Sequence, residues 1–120
     1  MKPCPDLNEL ESFFDCKSII LGGADEPWFY DTVRFVTIVG LESLECELEP
    51  GEYTIRLRWL RSNSELMNLE VEAVYSLELE SNSARKIARG LIAYKNASGV
   101  LEIQIKPFVH IALHMKADQS

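Results

Sequence analysis

The feature of this sequence that most constrains its fold is a nearly unbroken alternation of apolar and polar residues between positions 44 and 80. Side chains of a β-strand point alternately to opposite faces of the sheet, so this alternation predicts half-buried strands. The turn residues Glu49-Pro50-Gly51-Glu52 interrupt the pattern and predict a hairpin with a loop of more than two residues. We therefore expect a three-stranded antiparallel meander, with a bend or bulge near Val74 in its long last strand, 67–80.

The two faces of this meander predict a shared core and a charged surface. The predicted core residues are Leu44, Cys46, Ile55, Leu57, Trp59, Leu69, Val71, Ala73 and Tyr75. With Glu49 opposite Glu52, the register places Glu45 opposite Arg56, and Arg56 and Arg58 opposite Glu72 and Glu70. Exposed cross-strand pairs of this kind contribute only about 0.2–1 kcal/mol each, so we expect them to fix register more than they stabilise the fold.

Two segments have the spacing of amphipathic helices. Asp6 is followed three residues later by Glu9, a capping box that predicts a helix over about 6–15 with Leu10 and Phe13 or Phe14 docked on the sheet. Ser81-Asn82-Ser83 supplies capping side chains ahead of a second predicted helix, over about 84–95. Its interior glycine, residue 90, costs roughly 1 kcal/mol relative to alanine.

Further strands are predicted at 18–21, 32–39, 101–105 and 109–115, with Pro107 between the last two. In the 32–39 strand apolar residues lie on both faces, Val36 and Ile38 opposite the rest, which predicts that both faces are covered. The fold class is then α+β: a mainly antiparallel β-sheet of five to seven strands with two short helices. A chain of 120 residues fits one domain over 1–120, and we expect 1–5 and 116–120 to be flexible.

The charge balance restricts the partners. Nineteen acidic and twelve basic residues give a net charge of −7, which disfavours nucleic acid and anionic membranes and favours a basic protein partner. The three cysteines fit neither a paired disulfide framework nor a zinc site, so we expect reduced thiols. The first residues lack the apolar stretch of an export signal, and we expect a cytoplasmic protein.

No residue pattern predicts a catalytic centre or a cofactor. His110 and His114 would share one face of a helix, but Ile111 and Leu113 between them favour a strand, on which they lie about 13 Å apart, so we expect no metal. The Gly22-Gly23 pair is not a phosphate-binding loop. A basic stretch, 85–95, is interpreted as a solvated surface. We expect no enzymatic activity.

The most suggestive local feature is the segment 25–31, in which three aromatic residues are flanked by acids. Two rings would plug the edge of the core, or an exposed ring would anchor a partner within an acidic rim, and both interpretations can hold together. The candidate partner-binding residues here are Glu26, Trp28, Tyr30 and Asp31. The second candidates are the glutamates of 42–52, chiefly Glu45, Glu47 and Glu49.

The stretch PWFYDTVRFVTI at 27–38, preceded by a short helix and followed by a series of strands, resembles small immunity proteins of bacterial polymorphic-toxin systems. The resemblance implies a cytoplasmic binding protein that neutralises a toxin and catalyses nothing. An alternative is a small-ligand-binding domain, or a subunit of a larger assembly, with a pocket between the sheet and the second helix; an unfamiliar enzyme ranks third. The sequence does not fix the oligomeric state and allows a homodimer.

Overall fold

The computed structural model describes residues 1–22 and 27–117, and these form one α-helix, nine β-strands and two 3-10 turns. The helix is α1 (Leu7–Phe14), and the strands are β1 (Ile19–Ile20), β2 (Val33–Val39), β3 (Glu42–Glu49), β4 (Thr54–Arg61), β5 (Ser64–Val71), β6 (Val74–Ser81), β7 (Lys86–Tyr94), β8 (Ala97–Lys106) and β9 (His110–Ala117). The 3-10 turns are Trp28–Tyr30 and Pro50–Glu52. The predicted α+β class with mainly antiparallel sheet is confirmed, with more strands and one helix fewer than expected.

The strands form two antiparallel sheets in chain order, β1 to β5 in the first and β6 to β9 in the second. The sheets enclose one apolar core, in which β2 lies against β8. The largest fully buried side chains come from both sheets and from α1: Phe13, Phe14, Phe35, Leu10, Leu44, Leu48, Ile55, Leu57, Ile87, Leu101, Ile103 and Val33.

The predicted meander is confirmed as β3, β4 and β5, but its register differs from the predicted one by two residues. The loop takes up residues 50–53, with Tyr53 in the left-handed region at φ 56°. Glu49 therefore lies opposite Thr54, not Glu52. A shift of two residues leaves every side chain on its predicted face but changes its partners. Glu45 faces Arg58 and Arg56 faces Glu47 and Glu70.

The alternating segment 67–80 is two strands, not one. The chain passes from the first sheet to the second at residues 72–73, where Ala73 has a φ of 62°. Its carbonyl accepts a hydrogen bond from Ala93 N–H at 3.1 Å, and Val74 N–H donates to the Tyr53 carbonyl at 2.9 Å. The bend predicted near Val74 thus exists as a crossover between sheets. A second irregularity, between Val74 and Ser76, turns Tyr75 outward, so the prediction that Tyr75 is buried was wrong.

The second predicted helix is wrong, because residues 86–94 form β7. Asn82 does not cap a helix; its side-chain oxygen accepts hydrogen bonds from Ala84 N–H and Arg85 N–H, and its own N–H donates to the Arg85 carbonyl. These bonds close the β6–β7 turn. Ala88 and Gly90 point into the core, where their small size lets the two sheets approach. Pairing with both β6 and β8 outweighs the helical propensity of this segment.

Helix α1 forms as predicted. The Asp6 side chain accepts a hydrogen bond from Glu9 N–H at 2.8 Å, and the Glu9 side chain accepts one from Asp6 N–H at 3.3 Å. Phe14 stacks on Phe35 of β2 with ring centroids 4.8 Å apart. Lys86 Nζ donates hydrogen bonds to the carbonyls of residues 12 and 13 at the C-terminal end of the helix. Carbonyls of the last turn have no partner within a helix, and the lysine supplies one.

Two further expectations need correction. The outer face of β2 is not covered, since Val36 and Ile38 are exposed to 37% and 76%. Of the predicted core residues Trp59, Leu69 and Ala73 are only partly buried, although they pack against the core. The flexibility of 1–5 and 116–120 stays a prediction; Met1 is buried and β9 includes residues 116 and 117.

We predict that Leu57→Ala lowers the free energy of unfolding by about 2–5 kcal/mol, because Leu57 is 1% exposed and its removal leaves a cavity between the sheets. Leu66→Ala on the neighbouring β5 is the matched control, because Leu66 is 51% exposed. Urea denaturation of both variants measures the difference. Equal small effects would contradict the assigned core.

Gly90→Ala discriminates between a strand and a helix at 86–94. A Cβ at residue 90 would lie 2.9 Å from Cγ1 of Val74, so we predict a loss of about 1–3 kcal/mol from overpacking. In a helix the same change would stabilise by roughly 1 kcal/mol. Thermal denaturation gives the sign, and a rise in Tm would contradict the strand.

Candidate protein-binding site

The two 3-10 turns lie side by side at one end of the first sheet, because β2 begins where its neighbour β3 ends. Between them is an open cleft of about 240 Å³. Its lining residues are Tyr30, Asp31, Thr32, Glu49, Gly51 and Glu52. Pairing of β2 with β3 thus brings the aromatic segment and the end of the glutamate run, predicted separately from the sequence, into one site, which we call the acidic cleft.

The aromatic segment orients its three rings differently. Tyr30 N–H donates to the Pro27 carbonyl at 2.9 Å, and Asp31 N–H to the Trp28 carbonyl at 3.0 Å, which closes the 3-10 turn. Trp28 is half-buried and packs against the core. Phe29 contacts the rings on either side in edge-to-face geometry. Tyr30 is 69% exposed at the cleft, so one ring is available at the surface while another closes the core.

Gly51 of the second turn lies beside the tyrosine. A Cβ added at Gly51 would lie 3.6 Å from both the Phe29 carbonyl oxygen and Cδ1 of Tyr30. This distance is ordinary van der Waals contact, so the two turns pack together without requiring a glycine at this position. Neither Gly51 nor Thr32 was predicted as a site residue; the Pro-Gly turn marks the position of Gly51, but only the β2–β3 register shows what it faces.

The carboxylates of the acidic cleft have different partners. Glu49 accepts hydrogen bonds through Oε1 from Arg56 Nη1 at 2.6 Å and from the Thr32 hydroxyl at 2.9 Å. The Arg56 guanidinium, aided by Thr32, holds the pKa of Glu49 below its usual value, against a smaller opposing effect of burial. Asp31 accepts from Thr32 N–H at 2.7 Å. Its carboxylate also packs so closely on Gly22 that a side chain there would collide.

Glu45 and Glu47 lie outside the cleft, on the outer face of the first sheet, in a network of ion pairs. Arg34 Nη2 lies 2.6 Å from Glu47, Arg56 Nε 2.6 Å from Glu70, and Arg58 Nε 2.9 Å from Glu65. Arg58 also lies 3.7 Å from Glu45. Three arginines thus form ion pairs with all five glutamates of this network, which are Glu45, Glu47, Glu49, Glu65 and Glu70.

Because the glutamates of the outer face are paired with arginines, the carboxylates available to a partner beside this network are those of the acidic cleft. Within residues 1–22 and 27–117, neither Asp31 nor Glu52 takes part in an ion pair. A carboxylate that is not already paired interacts more strongly with an approaching cation than one shared with an arginine. Of the predicted partner-binding residues, Glu26 lies outside the described residues.

The basic stretch 85–95 is engaged within the protein. Arg89 lies between Glu80 and Glu102, at 3.7 and 3.8 Å. Lys86 binds the end of α1. Lys95 Nζ lies 5.5 Å from the centre of the Tyr94 ring. The expected solvated helix surface is therefore corrected: the stretch is a strand with one face in the core, and Lys86 and Arg89 bind other groups of the protein.

The histidines and cysteines are the side chains that could act as metal ligands or nucleophiles. His110 and His114 are exposed on β9, so their predicted position on a strand is confirmed. Burial raises the pKa of the Cys46 thiol, and burial also raises that of Cys4 to about 11. Both are therefore protonated, weakly nucleophilic thiols at neutral pH. No group of three or more His, Cys, Asp or Glu side chains arranged to hold a metal occurs in the described part of the chain.

The pocket expected between the sheet and a second helix does not exist, because that helix is β7. A shallow groove lies instead between α1 and β6, lined in part by Asn8, Phe13 and Leu79. In the described residues no helix is both long and apolar enough to span a membrane.

The class defined by the fold is a two-sheet antiparallel β-protein with one flanking helix and an acidic cleft at one sheet end. Among solved structures, a chain of the "Contact-dependent growth inhibition toxin - immunity protein complex from Klebsiella pneumoniae 342" is similar over 93% of this chain and 95% of that chain, with a TM-score of 0.77 at 17% sequence identity. The predicted resemblance to toxin–immunity systems is thus confirmed at the level of the fold. No family model and no curated protein sequence matches the chain.

We predict that Glu49→Gln removes part of the acid dependence of stability. The lowered pKa of Glu49 means that its contribution is present above about pH 4.5, the usual value, and is lost as pH falls through the folded-state pKa. The stability difference between wild type and variant should be largest near neutral pH and should shrink below pH 4.5. Urea denaturation at several pH values measures it.

Glu78→Gln is the control, because Glu78 is an exposed glutamate of β6 outside this network. A Glu49→Gln curve that runs parallel to wild type down to acid pH would contradict the proposed Arg56–Glu49 contribution.

Proposed function

We propose that this chain is a non-enzymatic, immunity-like protein of the cytoplasm that binds a basic protein partner, a toxin, and occludes it. The observation that carries the proposal is the end-to-end structural similarity to a chain of a complex between a growth inhibition toxin and its immunity protein. The similarity covers nearly the whole of both chains, so it concerns the complete two-sheet arrangement and not a common hairpin.

The acidic cleft is the surface proposed for the partner. It combines an exposed tyrosine with two carboxylates, Asp31 and Glu52, outside the ion-pair network. A lysine or arginine of the partner would place its charge between the carboxylates and its aliphatic stem or guanidinium plane on the Tyr30 ring. An aromatic anchor with a charged rim is the arrangement that concentrates binding energy in protein interfaces.

The ion-pair network beside the cleft would extend the interface. Glu45 and Glu47 are half-buried carboxylates held by arginines, so they present a fixed pattern of charge at little cost in side-chain entropy. Their role would be electrostatic complementarity and register, since exposed pairs contribute little affinity. Val36 and Ile38 continue the same face with exposed apolar area.

Two properties support binding of a protein over chemistry on a small molecule. The cleft, at about 240 Å³, is smaller than the roughly 300–1,000 Å³ of ordinary ligand pockets, and the groove between α1 and β6, at about 480 Å³, is wider open to solvent than the cleft. The raised pKa values of Cys4 and Cys46 keep these thiols in the unreactive form. An open, acidic and partly aromatic surface fits a basic protein better than a buried small molecule.

The test is a binding series on a partner captured from the source cell by affinity pull-down and identified by mass spectrometry. Tyr30→Ala should mainly speed dissociation and weaken affinity about 30-fold or more if the ring is a hot spot of about 2 kcal/mol. Asp31→Asn combined with Glu52→Gln should mainly slow association and flatten its salt dependence, because steering is screened over about 8 Å at physiological ionic strength. Surface plasmon resonance separates the two rates.

Phe108→Ala is the matched control, because Phe108 is an aromatic residue that is 58% exposed and lies between β8 and β9 in the other sheet. It should leave both rates unchanged. Wild-type rates and salt dependence in the cleft variants, with unchanged melting, would show that the partner binds elsewhere.

A further inference from the structure

Each sheet of this fold has two edge strands, and three of these four strands are short, acidic, bulged or covered. The first sheet ends at β1, which is only two residues long, and at β5, which carries Glu65 and Glu70 and follows a bulge between Trp59 and Leu60. At β6 the N-terminal segment covers the edge, since Lys2 N–H donates to the Tyr75 carbonyl at 2.7 Å and Leu77 N–H to the Pro3 carbonyl at 2.8 Å. Short strands, charges, bulges and covering segments are the devices that prevent edge pairing.

The fourth edge, β9, has only one of these devices, a single charged residue, Lys116. It is eight residues long, contains no proline, aspartate or glutamate, and pairs without a bulge with β8 along its whole length. Within residues 1–22 and 27–117 no strand pairs with its other side. Its backbone therefore presents a regular row of donors and acceptors to a further strand.

The side chains of β9 are also incompletely covered on the face that turns towards the core. Leu113 lies opposite the fully buried Leu101, so it projects from the inner face, yet it is 41% exposed. Met115, 49% exposed, lies across Gly99, where a Cβ would collide with its sulfur. With Val71, Ile92 and Tyr94 these residues line the apolar part of a recess of about 230 Å³ at the corner where the first sheet ends, and Glu70 and Glu72 line its wall on that sheet.

We propose that β9 pairs antiparallel with β9 of a second copy of this chain, giving a two-fold dimer with a continuous eight-stranded sheet. A two-fold axis perpendicular to the sheet keeps the inner faces of both copies on one side, so Leu113 and Met115 of the two strands meet and cover one another. Self-pairing of a strand needs no complementary surface elsewhere on the molecule.

The charge of β9 favours a second copy as the occupant. In a chain of net charge −7, β9 carries no carboxylate and one lysine, so two β9 strands can meet without the repulsion that two acidic surfaces would suffer. The recess wall on the first sheet carries Glu70 and Glu72, and a second β9 brings no like charge against them. The acidic cleft is built from β2, β3 and their flanking turns in the other sheet, so the dimer uses different residues from the proposed partner site.

The experiment is multi-angle light scattering after gel filtration on the full chain, over a concentration series that reaches the millimolar range. Wild type should give twice the chain mass of 13.7 kDa. Leu113→Lys and Met115→Lys place a charge on the inner face of the edge and should each return the mass to that of one chain. Leu66→Lys on β5, at a residue 51% exposed, is the matched control and should remain a dimer.

Circular dichroism checks that each variant is folded. A wild-type mass of one chain at every concentration would overturn the proposal, as would folded Leu113→Lys and Met115→Lys variants that stay dimeric. Amide hydrogen exchange of the wild-type protein needs no substitution, so folding defects cannot affect it. Exchange of residues 110–117 should speed up on dilution as the dimer dissociates. Exchange that does not change on dilution would also overturn the dimer proposal.

Discussion

Four residues, 50–53, set the alignment of β3 against β4, and much of the first sheet depends on them. Because the loop uses these four residues and places Tyr53 in the left-handed region, Glu49 lies opposite Thr54. This register brings Arg56 between Glu47, Glu49 and Glu70 and so creates the ion-pair network of the outer face. The same loop presents Gly51 and Glu52 to the aromatic turn. The charged face and the acidic cleft are therefore two results of one turn.

The second constraint is the passage of the chain between sheets at residues 72–73. It allows one alternating segment to supply an edge to each sheet, and it fixes how far the first sheet extends over the second. The sheets approach closely where Gly90 of β7 lies near Val74 and Ile55. Beyond this region the first sheet ends, and the inner face of β9 is left partly uncovered at Leu113 and Met115. The same crossover thus shapes the core and the uncovered corner.

The sequence predicts those features that depend on interactions between residues close together in the chain. The capping box of α1 and the alternation of β3, β4 and β5 are local patterns, and both predictions are confirmed. The local sequence of 86–94 is ambiguous. Ile87, Leu91 and Tyr94 have the spacing of a helix face, whereas Ala88, Gly90 and Ile92 have the spacing of the inner face of a strand. Pairing with two neighbours decides between them, and no local pattern contains that information. The acidic cleft was predicted in two separate parts, since only the β2–β3 pairing brings residues 30–32 next to residues 49–52.

We propose the acidic cleft as the surface through which this protein binds a protein partner. Hydrogen–deuterium exchange of the chain, free and in complex with the captured partner, is the decisive measurement because it reports every segment at once. We expect exchange to slow in 28–32 and 49–54 and along β3, with little change in β6 and β7. Slowed exchange confined to the second sheet, with the cleft segments unchanged, would contradict it.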